Sequence, residues 1–221
     1  TIIAFLDNLM NNMFYREDYN RLSHDIACRL KVEENLSKYN PDDIVHCDTF
    51  SYFDEMILRW MVERLTSEDI GAKLDDIAFC QLCAMRCKMH FGEKYKDAYN
   101  MLQNAYSIVE AANYDSGIDI KTIVKRYQEK DCLIDFAYRK FYFYYDRMED
   151  IGVYEKLQTL IENIYTNEYL NDLLPIWNQA FTKKEWFSIL PLQRNFYNHF
   201  VNQAKERTVV LVSDAMRYEV G

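Results

Sequence analysis

The chain is 221 residues long and carries 35 acidic against 26 basic residues, for a net charge of −9 and a pI near 5.0. That balance disfavours broad phosphate or nucleic-acid binding, though it leaves room for a local basic stripe. Hydrophobic residues at 49% exclude wholesale disorder. The 5 Gly and 3 Pro, against roughly 15 and roughly 11 at ordinary frequencies, exclude a barrel or sandwich for most of the chain, because those folds turn on Gly and Pro.

From residue 1 to about residue 205 the hydrophobic pattern is helical almost throughout. Phe50, Phe53, Met56, Ile57, Trp60, Met61 and Leu65 recur at spacings of three and four, an amphipathic stripe. Asp48 or Thr49 is placed to cap it, since a short side-chain oxygen accepts an early backbone N–H. Ile77, Phe79, Leu82, Ala84 and Met85 predict a second helix, and Tyr95, Tyr99, Leu102, Tyr106 and Val109 a third. A break is expected at Asp115-Ser-Gly117. Residues 118–150 then read as one long helix, or as two with a bend. Stretches 153–165, 169–181 and 192–203 complete the set. Pro41 and Pro191 suit first-turn positions, while Pro175 would start or kink a helix.

Several groups in this helical part invite a chemical reading. Cys80, Cys83, Cys87 and His90 share one helix face at spacings of three, four and three. Ten helical residues rise about 15 Å, too far for one shared metal. They are read as buried packing residues, with a partial metal or redox site as the alternative. Phe141-Tyr-Phe-Tyr-Tyr145 suits a helix buried among others, with a base-stacking platform as the alternative. Lys121, Lys125, Arg126, Lys130, Arg139, Lys140 and Arg147 alternate with acids, which reads as a solvated mixed-charge face or a dock for an acidic partner. His24, His46, His90 and His199 lie far apart in sequence. No Ser–His–Asp or Cys–His set and no glycine-rich phosphate loop stands out.

The pattern changes at Thr208. Val209-Val-Leu-Val212 is an apolar run without helical periodicity, suited to a strand buried on both faces of a parallel sheet. Ser213-Asp214 follows, at the end where open α/β sheets gather ligands. Asp214 can supply an oxygen to a divalent metal, cap the next helix, or pair with Arg217. The fold expected is therefore mainly α, an irregular multi-helix array over 1–205. Residues 206–221 would be the first β-strand of a truncated α/β domain.

Val209-Val-Leu-Val-Ser-Asp-Ala-Met-Arg-Tyr-Glu219 resembles the strand-to-helix motif that opens the PglZ domain. The segment Asp131–Tyr145, with its Asp135-x-x-Tyr138-Arg-Lys-x-Tyr142 core, resembles the region before that domain in type A PglZ proteins. So do Tyr169-Leu-x-x-Leu-Leu-x-x-Trp177 and Gln193-Arg-x-Phe-Tyr197. The resemblance implies a phage-defence (BREX) protein whose namesake domain is similar to the alkaline phosphatase superfamily. In that superfamily an Asp at the end of the first core strand binds one of two catalytic metals, and Asp214 stands at the matching position. Ser213, Arg217 and Glu219 match the motif without an assigned catalytic role, because the superfamily's nucleophile is a Thr or Ser further downstream.

The chain begins with Thr and stops just after this motif, and it is read as an internal fragment of a longer protein. Divalent metal ions, zinc among them, are expected in the complete protein and none on this stretch, which would be inactive alone. The expected partners are other BREX proteins and a phosphoester substrate, with nucleic acid left open and no membrane. Cysteine usage, with no signal peptide or membrane span in view, points to the cytoplasm. The rival reading is an all-α scaffold that binds other defence proteins without catalysis.

Overall fold

A computed structural model describes residues 2–36, 38–112, 119–182, 191–212 and 216–220. The chain is mainly α-helical and forms two compact units. Unit 1 comprises residues 1–110 and 140–161, and unit 2 comprises 111–139 and 162–221.

Unit 1 contains α1 (Ile2–Asn11), α2 (Arg16–Arg29), α3 (Val32–Leu36), α4 (Tyr52–Thr66), α5 (Phe79–Arg86) and α6 (Lys96–Glu110). The stripe predicted for α4 is realised, with Phe53, Ile57, Met61 and Leu65 buried four apart. On α6, Ala98, Tyr99, Leu102, Ala105 and Val109 turn inward against it, as the 3.6-residue period requires. The capping expectation is corrected. Ser51 precedes α4 and no side chain caps it. The Asp48 carboxylate instead accepts the backbone N–H groups of His90 and Phe91, tying two distant loops.

Residue 77 also differs from expectation. Ile77–Ala78 is strand β2, antiparallel to β1 (Lys73–Leu74), and the helix begins only at Phe79. Asp75 and Asp76 between them both have positive φ, 49° and 60°, the backbone of a two-residue hairpin turn. Pro41 opens a short 3₁₀ turn over Pro41–Ile44, at the first-turn position expected of it. A second such turn, Phe91–Glu93, presses on the end of α5. A Cβ at Gly92 would overlap the Arg86 carbonyl, so only glycine fits there.

At the centre of unit 1, Arg86 and Asp54 are both fully buried. Arg86 Nε donates to Asp54 Oδ1 at 2.9 Å, and Nη2 stands 2.7 Å from Oδ2. Nη1 donates to the carbonyls of Val45 (3.1 Å) and Cys47 (2.8 Å), while the Tyr99 hydroxyl donates to Asp54. Burial and the Asp54 charge push the Tyr99 phenol well above its usual range. One cation thereby joins α4, α5, α6 and the 45–47 loop.

Unit 2 begins with α7 (Ile120–Arg126), capped by Asp119, whose carboxylate accepts the Thr122 amide at 3.0 Å. The helix widens into a π turn over Tyr127–Asp131 and continues as α8 (Cys132–Tyr145), which enters unit 1 after Arg139. Of the helix predicted over 118–150, residues 120–145 form an uninterrupted run of helical turns with a π segment near its start. A second run repeats the device: α9 (Glu155–Asn163), most of which belongs to unit 1, then in unit 2 a π segment Ile164–Leu170 and α10 (Asn171–Thr182), with Pro175 inside its first turns. Leu192 rather than Pro191 borders the next short turn, Gln193–Asn195, which leads into a third π segment, Tyr197–Val201.

The run Val209–Val212, expected as a buried strand, is irregular and exposed, Leu211 to 93%. A strand exists by pairing, and none of the described residues pairs with it. The expected break at Asp115–Gly117, and Ser213 and Asp214, lie outside the described residues. Among those described, no helix is long and apolar enough to cross a membrane.

Candidate functional site

Residues from three of the four sequence blocks that carry the resemblance come together in unit 2. Asp135 and Arg139 lie four apart on one face of α8. The Asp135 carboxylate accepts two phenols, Tyr127 at 2.7 Å on Oδ2 and Tyr165 at 3.0 Å on Oδ1. Each tyrosine belongs to a π segment. In an ideal α-helix Tyr127 and Asp135, eight residues apart, would be offset by about 80°. The wider π turn advances less per residue and brings the two side chains onto one face. Burial, followed by Asp135, pushes both phenols above their usual range, so they stay protonated and donate.

Glu219, in the short turn Tyr218–Val220, reaches the same cluster. Its side chain is 3% exposed and pairs with Arg139, while its other oxygen lies 3.3 Å from the Tyr127 hydroxyl. The Tyr218 hydroxyl donates to the Gln128 carbonyl at 3.3 Å, and its ring lies 5.9 Å from that of Tyr127. Beside these rings Leu173, Leu174 and Trp177 of the Tyr169–Trp177 block, with Ile123 and Val124, line an apolar groove of about 410 Å³. Behind the cluster, Tyr138 stacks on Tyr165 with ring centroids 3.7 Å apart, and its hydroxyl donates to Glu162 at 2.7 Å.

The pattern of the sequence pointed at Asp135, Arg139 and Glu219 without showing that they meet. Tyr127 and Tyr165, which both donate to Asp135, did not stand out in the sequence. Their signal lies in the π segments, which hydrophobic periodicity does not reveal.

The other candidates resolve as packing and pairing. Cys87 ends α5 and His90 lies beyond it, so the four groups do not share one helix. Burial raises the thiols of Cys80, Cys83 and Cys87, Cys83 most of all, which favours their protonated form. His90 packs edge-on against Tyr19 and Phe91 and meets the Asn20 side chain. In the aromatic run Phe141 is buried, and the Phe143 ring is faced by Lys140 and Arg147, each 5.2 Å from its centroid. Four of the seven basic residues have acidic partners: Lys125 with Glu129 (3.8 Å), Arg126 with Asp131 (3.5 Å), Arg147 with Asp97 (2.9 Å) and Arg139 with Glu219.

Among the described residues no group of three or more His, Cys, Asp or Glu could hold a metal ion. Donors of the right chemistry for a metal pair are therefore not assembled in the described part. Asp214 would contribute a single carboxylate.

The chain is similar to the alkaline phosphatase-like protein PglZ of Bacillus cereus (strain H3081.97), with 34% identity over 99% of this chain and 26% of the relative. It is also similar to the alkaline phosphatase-like protein BrxZ of Escherichia coli O9:H4 (strain HS), 28% identical over 99% of this chain and 27% of the relative. The chain spans about a quarter of the length of these curated relatives. No protein-family model and no solved structure matches it.

Proposed function

Because the chain belongs to the PglZ family, we propose that it is the helical support of a metal-dependent phosphoester hydrolase acting in BREX phage defence. The catalytic α/β domain would begin at residue 206. In this reading Asp214 is a metal ligand of that domain, and the nucleophile and remaining ligands lie outside these 221 residues. The helical part contributes rigidity and orientation. The observation that carries the proposal is similarity along 99% of the chain to two proteins named alkaline phosphatase-like. The meeting of α8 with the 218–220 turn in unit 2 supports the supporting role. The experiment compares the 221-residue chain with the complete protein on a generic phosphodiester and divalent metal. Hydrolysis by the complete protein alone is the expected result, and hydrolysis by the 221-residue chain would overturn the assignment of roles.

A second reading is a partner-binding module without catalysis. It is favoured by the exposed apolar residues Met13, Phe14 and Tyr15, followed at spacings of four by Leu22 and Ile26 on α2 and Leu30 just after it. Capture of another BREX component by the complete protein, lost on Leu22→Glu/Ile26→Glu while hydrolysis never appears, would favour this reading over the first.

A further inference from the structure

Glu219 is a carboxylate whose side chain is almost wholly buried, and an ionised group there is costly unless it is paired. Its pairing is supplied entirely by α8 and the π turn before it. Arg139 takes one oxygen, and the Tyr127 hydroxyl faces the other at 3.3 Å. Tyr127 is itself held by Asp135 at 2.7 Å, so its position does not depend on Glu219. The neighbouring Tyr218 makes a separate attachment, to the Gln128 carbonyl at 3.3 Å. Two consecutive residues are thus fastened to one stretch of helix some 80 to 92 positions earlier in the chain.

Buried ion pairs contribute little net stability, since desolvation offsets the attraction. What the charge-assisted hydrogen bond from Arg139 Nη2 to one carboxylate oxygen does supply is a fixed direction for Glu219. Glu219 stands five residues after Asp214.

We propose that Arg139 and Tyr127, backed by Asp135, form a seat that locks Glu219 and so positions the strand-to-helix motif containing Asp214 on the helical part of the protein. Arg139 and Tyr127 are positioning residues, acting through Glu219. For its effect on activity the inference rests on the reading of Asp214 given above. For its effect on the segment itself it stands alone.

The test uses the complete protein and two readouts, hydrogen exchange of residues 216–220 and steady-state hydrolysis of a generic phosphodiester. Arg139→Met is expected to raise exchange at 216–220 at least tenfold while α4 and α6 keep their protection. It should lower kcat at least tenfold with KM within about twofold. The exchanged pair Arg139→Glu/Glu219→Arg should restore most of the protection. Arg126→Met, whose partner Asp131 lies on the same helical run, should leave 216–220 unchanged. Should Arg139→Met unfold unit 2, Arg139→Lys keeps the charge but loses the planar guanidinium that carries the donor to Glu219, and it should still raise exchange at 216–220 several-fold. Unchanged exchange in both Arg139 variants, or a rise that the exchanged pair fails to reduce, overturns the seat. If the wild-type complete protein hydrolyses no phosphoester, the hydrolase reading fails and exchange alone decides the seat.

Discussion

Replacing Asp54 with Asn tests whether the interior of unit 1 is built around one buried charge. The substitution keeps size and shape but leaves the Arg86 guanidinium, fully buried, without its counter-ion. Arg86 retains the carbonyls of Val45 and Cys47 as partners, which neutralise none of its charge. Breaking one side of a buried pair costs about 3–5 kcal/mol, a large part of the roughly 5–15 kcal/mol that holds a domain folded. With a urea slope of about 2 kcal/mol per molar, the midpoint should fall by about 2 M. Trp60 on α4 reports on unit 1 once Trp177 and Trp186 are changed to Phe, so the assay is urea unfolding followed by its fluorescence. Removing both charges in Asp54→Leu/Arg86→Met should cost at least about 1 kcal/mol less than the sum of the two single changes, since neither charge is then stranded. It should not be neutral, because the Tyr99 hydroxyl and two carbonyls lose partners at about 1–3 kcal/mol each. A loss below about 1 kcal/mol for Asp54→Asn, or strict additivity in the double variant, would refute the reasoning.

Gly92→Ala forces a methyl group into the Arg86 carbonyl; the expected loss is about 1–3 kcal/mol or more, read by the same unfolding assay. Burial, then the nearby Arg16 charge, lowers the affinity of His90 for a proton in the folded state. The unfolded chain therefore protonates first as pH falls through about 6.5. Its contribution to stability is complete above that pH and declines below it, so His90→Gln should flatten the slope of stability between about pH 7 and 5. At the other extreme, Cys83 and the phenols of Tyr95 and Tyr99 are raised by burial. Their neutral forms are favoured on folding, so stability should hold below about pH 8.5 and fall progressively above it as the unfolded groups ionise. Unfolding midpoints measured from pH 7 to 10.5 would show the decline, and a flat profile would contradict the burial of these groups.

The long helices were legible because burial on one side imposes a period: Phe53, Ile57, Met61 and Leu65 on α4 and Tyr99, Leu102 and Val109 on α6 mark their buried faces in the sequence. Short elements carry too few residues for a period. The 73–78 hairpin has two residues per strand and an Asp-Asp turn instead of the stronger Asn-Gly signal. Asp48 looked like a cap for the helix just after it, yet its partners lie some forty residues away. No local rule can supply that. The same holds for the cluster in unit 2. Asp135 and Arg139 stood out within their motif, and Glu219 within another, but the Arg139–Glu219 pair spans 80 residues and Asp135 is linked to Glu219 only through Tyr127, which a π turn shifts by a fraction of a helical turn. Val209–Val212 shows the converse: its composition suits a strand, but none of the described residues offers it a neighbouring strand.

The most direct measurement of the central claim is phosphodiester hydrolysis by the complete protein with added divalent metal, wild type against Asp214→Ala. Asp214→Ala should lower kcat at least a hundredfold, with binding of a stoichiometric metal ion weakened in parallel and the unfolding midpoint of unit 1 unchanged. Full activity in the Asp214→Ala protein would contradict the account.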